Sequence, residues 1–264
     1  MFSYLRSDRS GAQIHDMLTC QGYCFKSNKN YQGALIADNH HFTYSMRSHM
    51  SLLNKLCNFV NIPVPIIVPV IPKRTRKYIL DDSVYNTKNT AECFTAEYLD
   101  FIRQKSFDET PDTKNAAAIT VAVHLRRGDG QKEGRWDFRY TSNEYYLKLI
   151  KVILDFYNKK QTNIKVKVKV FSQKQSDTPF DDFTKLGCEL YLDTDEVEAW
   201  TIMRDADIFI MASSSFSFVP AILNANGIIV HTHSKYYQPH PDWISDDDID
   251  TKIKTLTARL IERN

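Results

Sequence analysis

The sequence offers no stretch near the roughly 20 apolar residues that a membrane span requires, which leaves a spanning role without a carrier. Its N-terminus, "MFSYLRSDRSGAQ", has no apolar core of leader length, so the chain is expected in the cytoplasm or another soluble setting. Five cysteines (Cys20, Cys24, Cys57, Cys93, Cys188) form neither an even set nor a regular spacing, which argues against a disulfide framework and predicts buried thiols in a reducing compartment. Cys20 and Cys24 lack the second pair that a zinc site needs. The net charge is only +2, which excludes a general nucleic-acid or membrane-surface binder and means that any cationic site is local. There is no internal repeat, no G-x-G-x-x-G, no G-x-x-x-x-G-K-[ST] and no G-x-S-x-G.

What is present is a chain of 264 residues, 42% hydrophobic and 25% charged, long enough to bury one large core or two small ones. Between about 116 and 235 apolar runs alternate with helical periods. "AAAITVAVHL" (116–125) reads as a buried strand. "SNEYYLKLIKVILDFYNKK" (142–160) reads as a helix capped by Ser142 or Asn143. "IKVKVKVF" (164–171) alternates strictly and reads as a strand near a sheet edge. The same reading gives strands at 188–192, 207–212 and 227–232 and helices at 196–206 and from 214 onward. Strand–helix alternation with short connections implies a parallel sheet with flanking helices.

The first third predicts helices over 11–27 and 51–60, a strand at 33–37 and an edge strand or extended segment at "PVPIIVPVIP" (63–72). "FDETPDTKN" (107–115) has the composition of a linker, which divides the chain into an N-terminal domain (1–110) and a C-terminal one (116–240). The last helix, over 246–264, carries an Ile249, Ile253, Leu256, Leu260 stripe and is expected to dock, with the N-terminal domain as one partner.

Two constellations carry chemistry. "HLRRGDG" (124–130) ends a buried strand with His124, Arg126, Arg127 and Asp129, and ligands of parallel sheets bind beyond strand carboxyl ends. Alternation along the strand sends Arg126 and Arg127 to opposite sides, so that one faces a ligand and the other pairs with Asp129. A guanidinium fork matches the oxygens of a diphosphate. In "DIFIMASSSFSFVPAIL" (207–223) a strand runs through Ser213, Ser214 and Ser215 into a helix, whose free N–H groups and positive dipole end suit phosphate or serve as an ordinary cap. Two D-x-D pairs are weighed as metal sites. Asp205 and Asp207 precede a strand, on the wrong sheet edge; Asp193 and Asp195 follow one, where Asp195 serves either as a donor-side carboxylate or as a helix cap. The histidines of "HTH" (231–233) have no third ligand nearby.

"HLRRGD" resembles the H-x-R-R-x-D motif of the GDP-fucose-dependent fucosyltransferases of the α1,2-, α1,6- and protein O-linked groups. "NEYYLKLI" (143–150), "VFS" (170–172), "MRDADIFIMASSSFSF" (203–218) and "RSGAQIHDM" (9–17) are similar to that family's following elements in the same order. The resemblance implies an α/β, GT-B-like fold of two facing Rossmann-like domains with parallel sheets. It implies an inverting, metal-independent glycosyltransferase with no cofactor, whose partners are a nucleotide-sugar donor and a glycan acceptor. By position it implies donor binding by His124, Arg126, Arg127, Ser213, Ser214, Ser215 and Phe216, with Ser172 near the base and Arg9 and Gly11 approaching from the N-terminal domain; Asp195 is counted with the donor-binding residues. Arg126 contacts the β-phosphate, and Asp129 orients the arginines or serves as base. Glu133 and Asp137, in "GDGQKEGRWDFR" (128–139), are the other candidate bases, with Trp136 and Phe138 as a sugar platform. "KYYQPHPDW" (235–243) is a second aromatic loop. The segment Ser172, Gln173, Lys174 stands where relatives carry carboxylates near guanine, so a UDP-pentose donor stays open, as does a non-catalytic nucleotide-sugar or glycan-binding domain.

Overall fold

The structure, a computed structural model, describes residues 1–4, 10–37, 44–68, 90–106, 118–128, 137–160, 164–175, 178–234 and 237–264. The chain divides into two compact units, Met1–Thr110 with Lys235–Gln238, and Pro111–Ser234 with Pro239–Asn264. The linker expected at 107–115 lies outside the described residues.

The first unit holds β1 (Ser3–Tyr4), α1 (Ser10–Lys26), β2 (Ala34–Ala37), α2 (Tyr44–Phe59), β3 (Ile66–Val68), α3 (Thr90–Cys93) and α4 (Ala96–Ser106). Its three strands are parallel in the order β1-β2-β3. The proline-flanked β3 is an edge strand, because proline cannot donate to a further ladder. Ile14, Met17 and Leu18 of α1 are buried, and the Tyr98 hydroxyl of α4 lies 2.9 Å from both Leu18 O and Gln21 Oε1, which share its one proton. Gly22 makes that approach possible: a Cβ there would run into Cys93 O and the Tyr98 ring. α2 begins well before the helix read from the periodicity at 51–60.

The second unit holds β4 (Ala118–His124), a 3₁₀ turn at Asp137–Arg139, α5 (Asn143–Lys159), β5 (Lys165–Ser172), α6 (Asp181–Lys185), β6 (Glu189–Leu192), α7 (Glu196–Asp205), β7 (Ile208–Ile210), α8 (Ser215–Leu223), β8 (Ile228–Val230) and α9 (Ile249–Arg263). All five strands are parallel in the order β6-β5-β4-β7-β8. Numbered within the unit, that order is 3-2-1-4-5, the doubly wound arrangement of Rossmann-like sheets. β4 is central, and its residues 121–124 are buried. On one face Val121, Val123, Val168, Val170, Ile208, Ile210 and Val230 pack against α5 and α9.

One expectation is met and one is corrected. β5 lies near a sheet edge, one strand in, between β4 and the edge strand β6. Its Lys-Val alternation records one apolar and one polar face; Lys165 is exposed and Lys167 and Lys169 are half-buried, while Val168 and Val170 join the core. α9 packs within the second unit, on α5 and β8, where Leu256 and Leu260 are fully buried. The apolar surface of α5, left bare by the sheet, is what its stripe fits. Among the described residues no helix is long and apolar enough to cross a membrane.

Candidate functional site

The order of the second sheet reverses at β4: the chain leaves β4 for β5 on one side, while β7 occupies the other. Loops leaving the carboxyl ends of such a strand pair go to opposite faces and open a crevice between them. The loop after β4 carries Arg126, and the loop after β7 carries Ser213 and Ser214.

The β4 loop is built tightly. Leu125 extends the ladder by donating to Phe171 O at 2.9 Å, and Ser172 spends its hydroxyl on Leu125 O at 2.9 Å. Gly128 has φ +77°, donates to Gln175 O at 3.0 Å and rests against the Gln173 side chain, so a side chain there would be strained and would collide. The two arginines do part company. Arg127, 1% exposed, turns inward. It donates to Arg126 O at 2.8 Å, to Asn143 Oδ1 at 2.5 Å and to Thr141 O at 3.2 Å, and lies 4.7 Å from the Tyr140 ring centre. It thereby ties the loop to the start of α5, which Ser142 caps through Tyr145 N. Arg126 turns to the other face, and its Nη1 donates to Ser214 Oγ at 2.8 Å.

Ser214 is the N-cap of α8. Its backbone is extended, its Oγ accepts from Phe216 N at 3.2 Å, and its carbonyl accepts from Ser217 N at 3.0 Å. Ser213 is buried before it and Ser215 is half-buried after it. The guanidinium of Arg126 therefore meets the positive end of the α8 dipole, two like-signed elements that an anion reconciles. His124, on the same face, bonds through Nδ1 to Ser217 Oγ, and its ring lies 5.3 Å from Phe216, which also packs on Trp200 at 5.3 Å. Burial, reinforced by Arg126 and Arg127, drives the His124 pKa down to about 3, so the ring is neutral at ordinary pH. The positive charge of the site comes from Arg126 and the helix.

The remaining expected residues fall elsewhere. Asp195 is exposed and caps α7, accepting from Val197 N at 3.0 Å and Glu198 N at 3.2 Å. Asp193, at φ +54°, accepts from Lys174 N at 3.1 Å. The first D-x-D pair thus shapes the edge of β6 and the start of α7. Asp205 pairs with Arg204 at 2.8 Å, and Asp207 with Arg263 at 2.7 Å. Among the described residues no group of three or more His, Cys, Asp and Glu side chains is placed to hold a metal ion. The five cysteines are free and buried, and burial pushes the Cys57 thiol up to about 12 and Cys93 and Cys188 to about 11. Gly11 is the buried second residue of α1, in the other unit. Arg9, Asp129, Glu133 and Trp136 lie outside the described residues; Asp137 begins the 3₁₀ turn, and Phe138 beside it is exposed. Trp243 is buried against Phe218, His231 and His240 and supports the end of β8.

Sequence reasoning overlooked Ser217, Asn143 and Trp200. A serine inside an apolar helix turn, four positions after Ser213, is the signal that marked Ser217 as more than a cap. Asn143 offered no signal beyond its place at a helix start.

No family model matches the chain, and no curated protein matches it. Among solved structures, E. coli heptosyltransferase WaaC with ADP-2-deoxy-2-fluoro heptose is similar over 100% of this chain and 99% of its own, at 10% identity and a TM-score of 0.48. E. coli heptosyltransferase WaaC with ADP is similar over 99% of each chain, at 10% identity and a TM-score of 0.49. Likeness of that degree decides nothing about donor or acceptor; the site's own geometry carries the argument.

Proposed function

We propose that the chain is a glycosyltransferase that moves a sugar, with fucose favoured, from a nucleoside-diphosphate donor to a glycan hydroxyl, with inversion and without a metal ion. The observation that carries this reading is the 2.8 Å contact between Arg126 and the cap of α8 at the point where the strand order reverses. A guanidinium and a helix N-terminus aimed at one spot match the two adjacent phosphoryl groups of a diphosphate, and they supply the charge stabilisation that a bound cation gives elsewhere. The resemblance of 124–129 and 203–218 to the fucosyltransferase motifs supports the same assignment.

In the reaction an acceptor hydroxyl attacks the anomeric carbon, the bond to the β-phosphate oxygen breaks, and the hydroxyl proton passes to a carboxylate. Asp129, Glu133 and Asp137 are the candidates by position. The diphosphate leaves with the charge that Arg126 and α8 are placed to stabilise. Arg127 takes no phosphate in this scheme: its buried donors hold the loop that presents Arg126. A UDP-pentose donor is the second reading, favoured by Lys174, whose backbone N–H is held by Asp193 beside the strand end where relatives place carboxylates.

A thermal-shift panel of GDP, UDP, ADP and CMP tests the donor class, because a ligand stabilises a fold through its affinity for the native state. One nucleoside diphosphate is expected to raise the Tm by several degrees, and Arg126→Ala to abolish the shift. Acceptor-dependent release of that diphosphate, undiminished by EDTA, is expected of the enzyme. Binding without release leaves a binding domain, and a shift that survives Arg126→Ala overturns the site.

A further inference from the structure

Ser217 is 0% exposed, and among the described residues its Oγ has two hydrogen-bond neighbours with opposite demands. The Ala212 N–H donates to it at 3.2 Å, which occupies one lone pair. Its other contact is His124 Nδ1. The hydroxyl proton must go to an acceptor, since a buried donor left unmade costs about 1–3 kcal/mol. The amide of Ala212 accepts nothing, so Nδ1 is the acceptor. A neutral imidazole that accepts at Nδ1 carries its proton on Nε2. Burial and the two flanking arginines exclude the doubly protonated ring. The opposite tautomer, Nδ1–H donating to Ser217, leaves the serine proton with no partner among the described residues. The His124 ring makes no other hydrogen bond among the described residues, and the residue is 9% exposed.

His231 shows the reverse arrangement in the same sheet. Its Nδ1 lies 2.6 Å from Thr232 O, and a carbonyl only accepts, so there the proton sits on Nδ1. Burial, as the main cause, holds that ring neutral as well, with its pKa lowered to about 4.

We propose that Ser217 is a positioning residue of the anion site: by donating its hydroxyl proton to Nδ1 it fixes the His124 proton on Nε2 and presents Nε2–H as a neutral hydrogen-bond donor to the phosphoryl oxygens beside Arg126. The role given to Nε2–H rests on the donor-site reading above; the placement of the proton does not. His124 then neither gives nor takes a proton in the reaction. It supplies a donor that adds no positive charge next to two arginines and survives mild acidification.

Nitrogen-15 NMR of the imidazole rings tests the proton's position in the wild-type chain without any ligand. The His124 signals are those lost in His124→Gln. They are expected to show a bare Nδ1 and a protonated Nε2 from pH 8 down to about pH 5, with His231 showing the opposite pattern as an internal reference. A protonated Nδ1 on His124, or a doubly protonated ring at pH 6, overturns the proposal. Ser217→Ala is expected to turn the His124 pattern into a mixture of tautomers and to weaken GDP or UDP binding about 5- to 10-fold. Ser217→Thr, which keeps the hydroxyl, is expected to restore both. Unchanged tautomer and unchanged affinity in a folded Ser217→Ala protein overturn the proposal; should that variant not fold, the wild-type spectrum decides. If wild type shows the expected tautomer but binds neither GDP nor UDP, the functional reading fails and the proton assignment stands.

Discussion

Arg126 Nη1 and Ser214 Oγ lie 2.8 Å apart, although the residues are 88 positions apart in the chain and follow different strands. Neither side chain has a local reason to be there. A surface arginine would be hydrated, and a serine cap needs nothing beyond the amide of Phe216. Their convergence at the sheet's switch point is what the proposed anion site rests on. Arg126→Ala is expected to weaken nucleoside-diphosphate binding by about 30- to 200-fold, the range of a charge-assisted hydrogen bond worth about 2–3 kcal/mol. Arg126→Lys is expected to recover part of the loss, since an ammonium keeps the charge and gives up the fork. Titration calorimetry at fixed ionic strength measures both. Equal affinity in all three proteins would remove Arg126 from the site.

Acid is expected to destabilise the second unit through its two buried histidines. Both have folded pKa values below the ordinary 6.5, His124 about 3 and His231 about 4. The unfolded chain therefore binds protons that the native state refuses, and stability rises with pH from about 3 to 6.5 and is level above. At pH 5 each histidine costs about 2 kcal/mol relative to pH 8. Urea midpoints measured from pH 8 to pH 5 are expected to fall, and His124→Gln is expected to flatten that fall by about half. A wild-type midpoint independent of pH over that range would contradict the neutral burial of both rings.

The strands, and the places of Arg126 and Ser214 at their carboxyl ends, were legible because each has a local signature. An apolar run that ends in glycine or serine names β4 and β7, and a charged or hydroxylic residue just past such a run names the carboxyl edge. Whether a strand has neighbours on both sides has no such signature: the Lys-Val alternation of β5 gave the polarity of its faces and a place near an edge, but not which strand, β6, lies outside it. The Ser217–His124 bond spans 93 positions and joins the first turn of α8 to the end of β4, which no spacing encodes. Lys252 was within reach. It falls four and eight positions before Leu256 and Leu260, on the very stripe that docks, but a lysine on a helix is ordinarily read as solvated.

Asn224 is a buried joint on which the α8–β8 connection depends. Its Nδ2 donates to Ala206 O at 2.8 Å, and its Oδ1 accepts from Gly227 N at 2.6 Å and Asn226 N at 3.2 Å. One side chain thus satisfies the end of α7 and shapes the turn into β8. Asn224→Ala leaves a buried carbonyl and a buried amide without these partners, and is expected to cost about 2–4 kcal/mol. Asn224→Asp keeps the acceptor but sets a buried carboxylate oxygen against the Ala206 carbonyl, and is expected to cost at least as much as the alanine variant. Thermal or urea denaturation of the two variants ranks them; a loss below about 0.5 kcal/mol for the alanine variant would show that water replaces the side chain.

Lys252 gives the alkaline limb a sign opposite to that of the buried thiols. Its side chain is 1% exposed, and Nζ donates to His231 O and, at 3.0 Å, to Tyr145 OH, which joins α9 to the end of β8 and to α5. Burial lowers its pKa to about 8, against the opposing pull of Asp247 and Asp246. The native state thus prefers the neutral amine, so a penalty of about 3 kcal/mol is present below pH 8 and is relieved as pH rises from about 8 to 10.5. Cys57, Cys93 and Cys188 work the other way: their raised pKa values make the fold lose stability once the unfolded thiols ionise above about pH 9. In wild type the two trends oppose each other. Lys252→Met removes the first and keeps the second, so its urea midpoint is expected to fall more steeply than that of wild type between pH 8 and pH 10, whatever the offset between the two proteins at pH 7. Parallel curves would mean that Lys252 titrates as an exposed lysine does, and that α9 is held by its leucines alone.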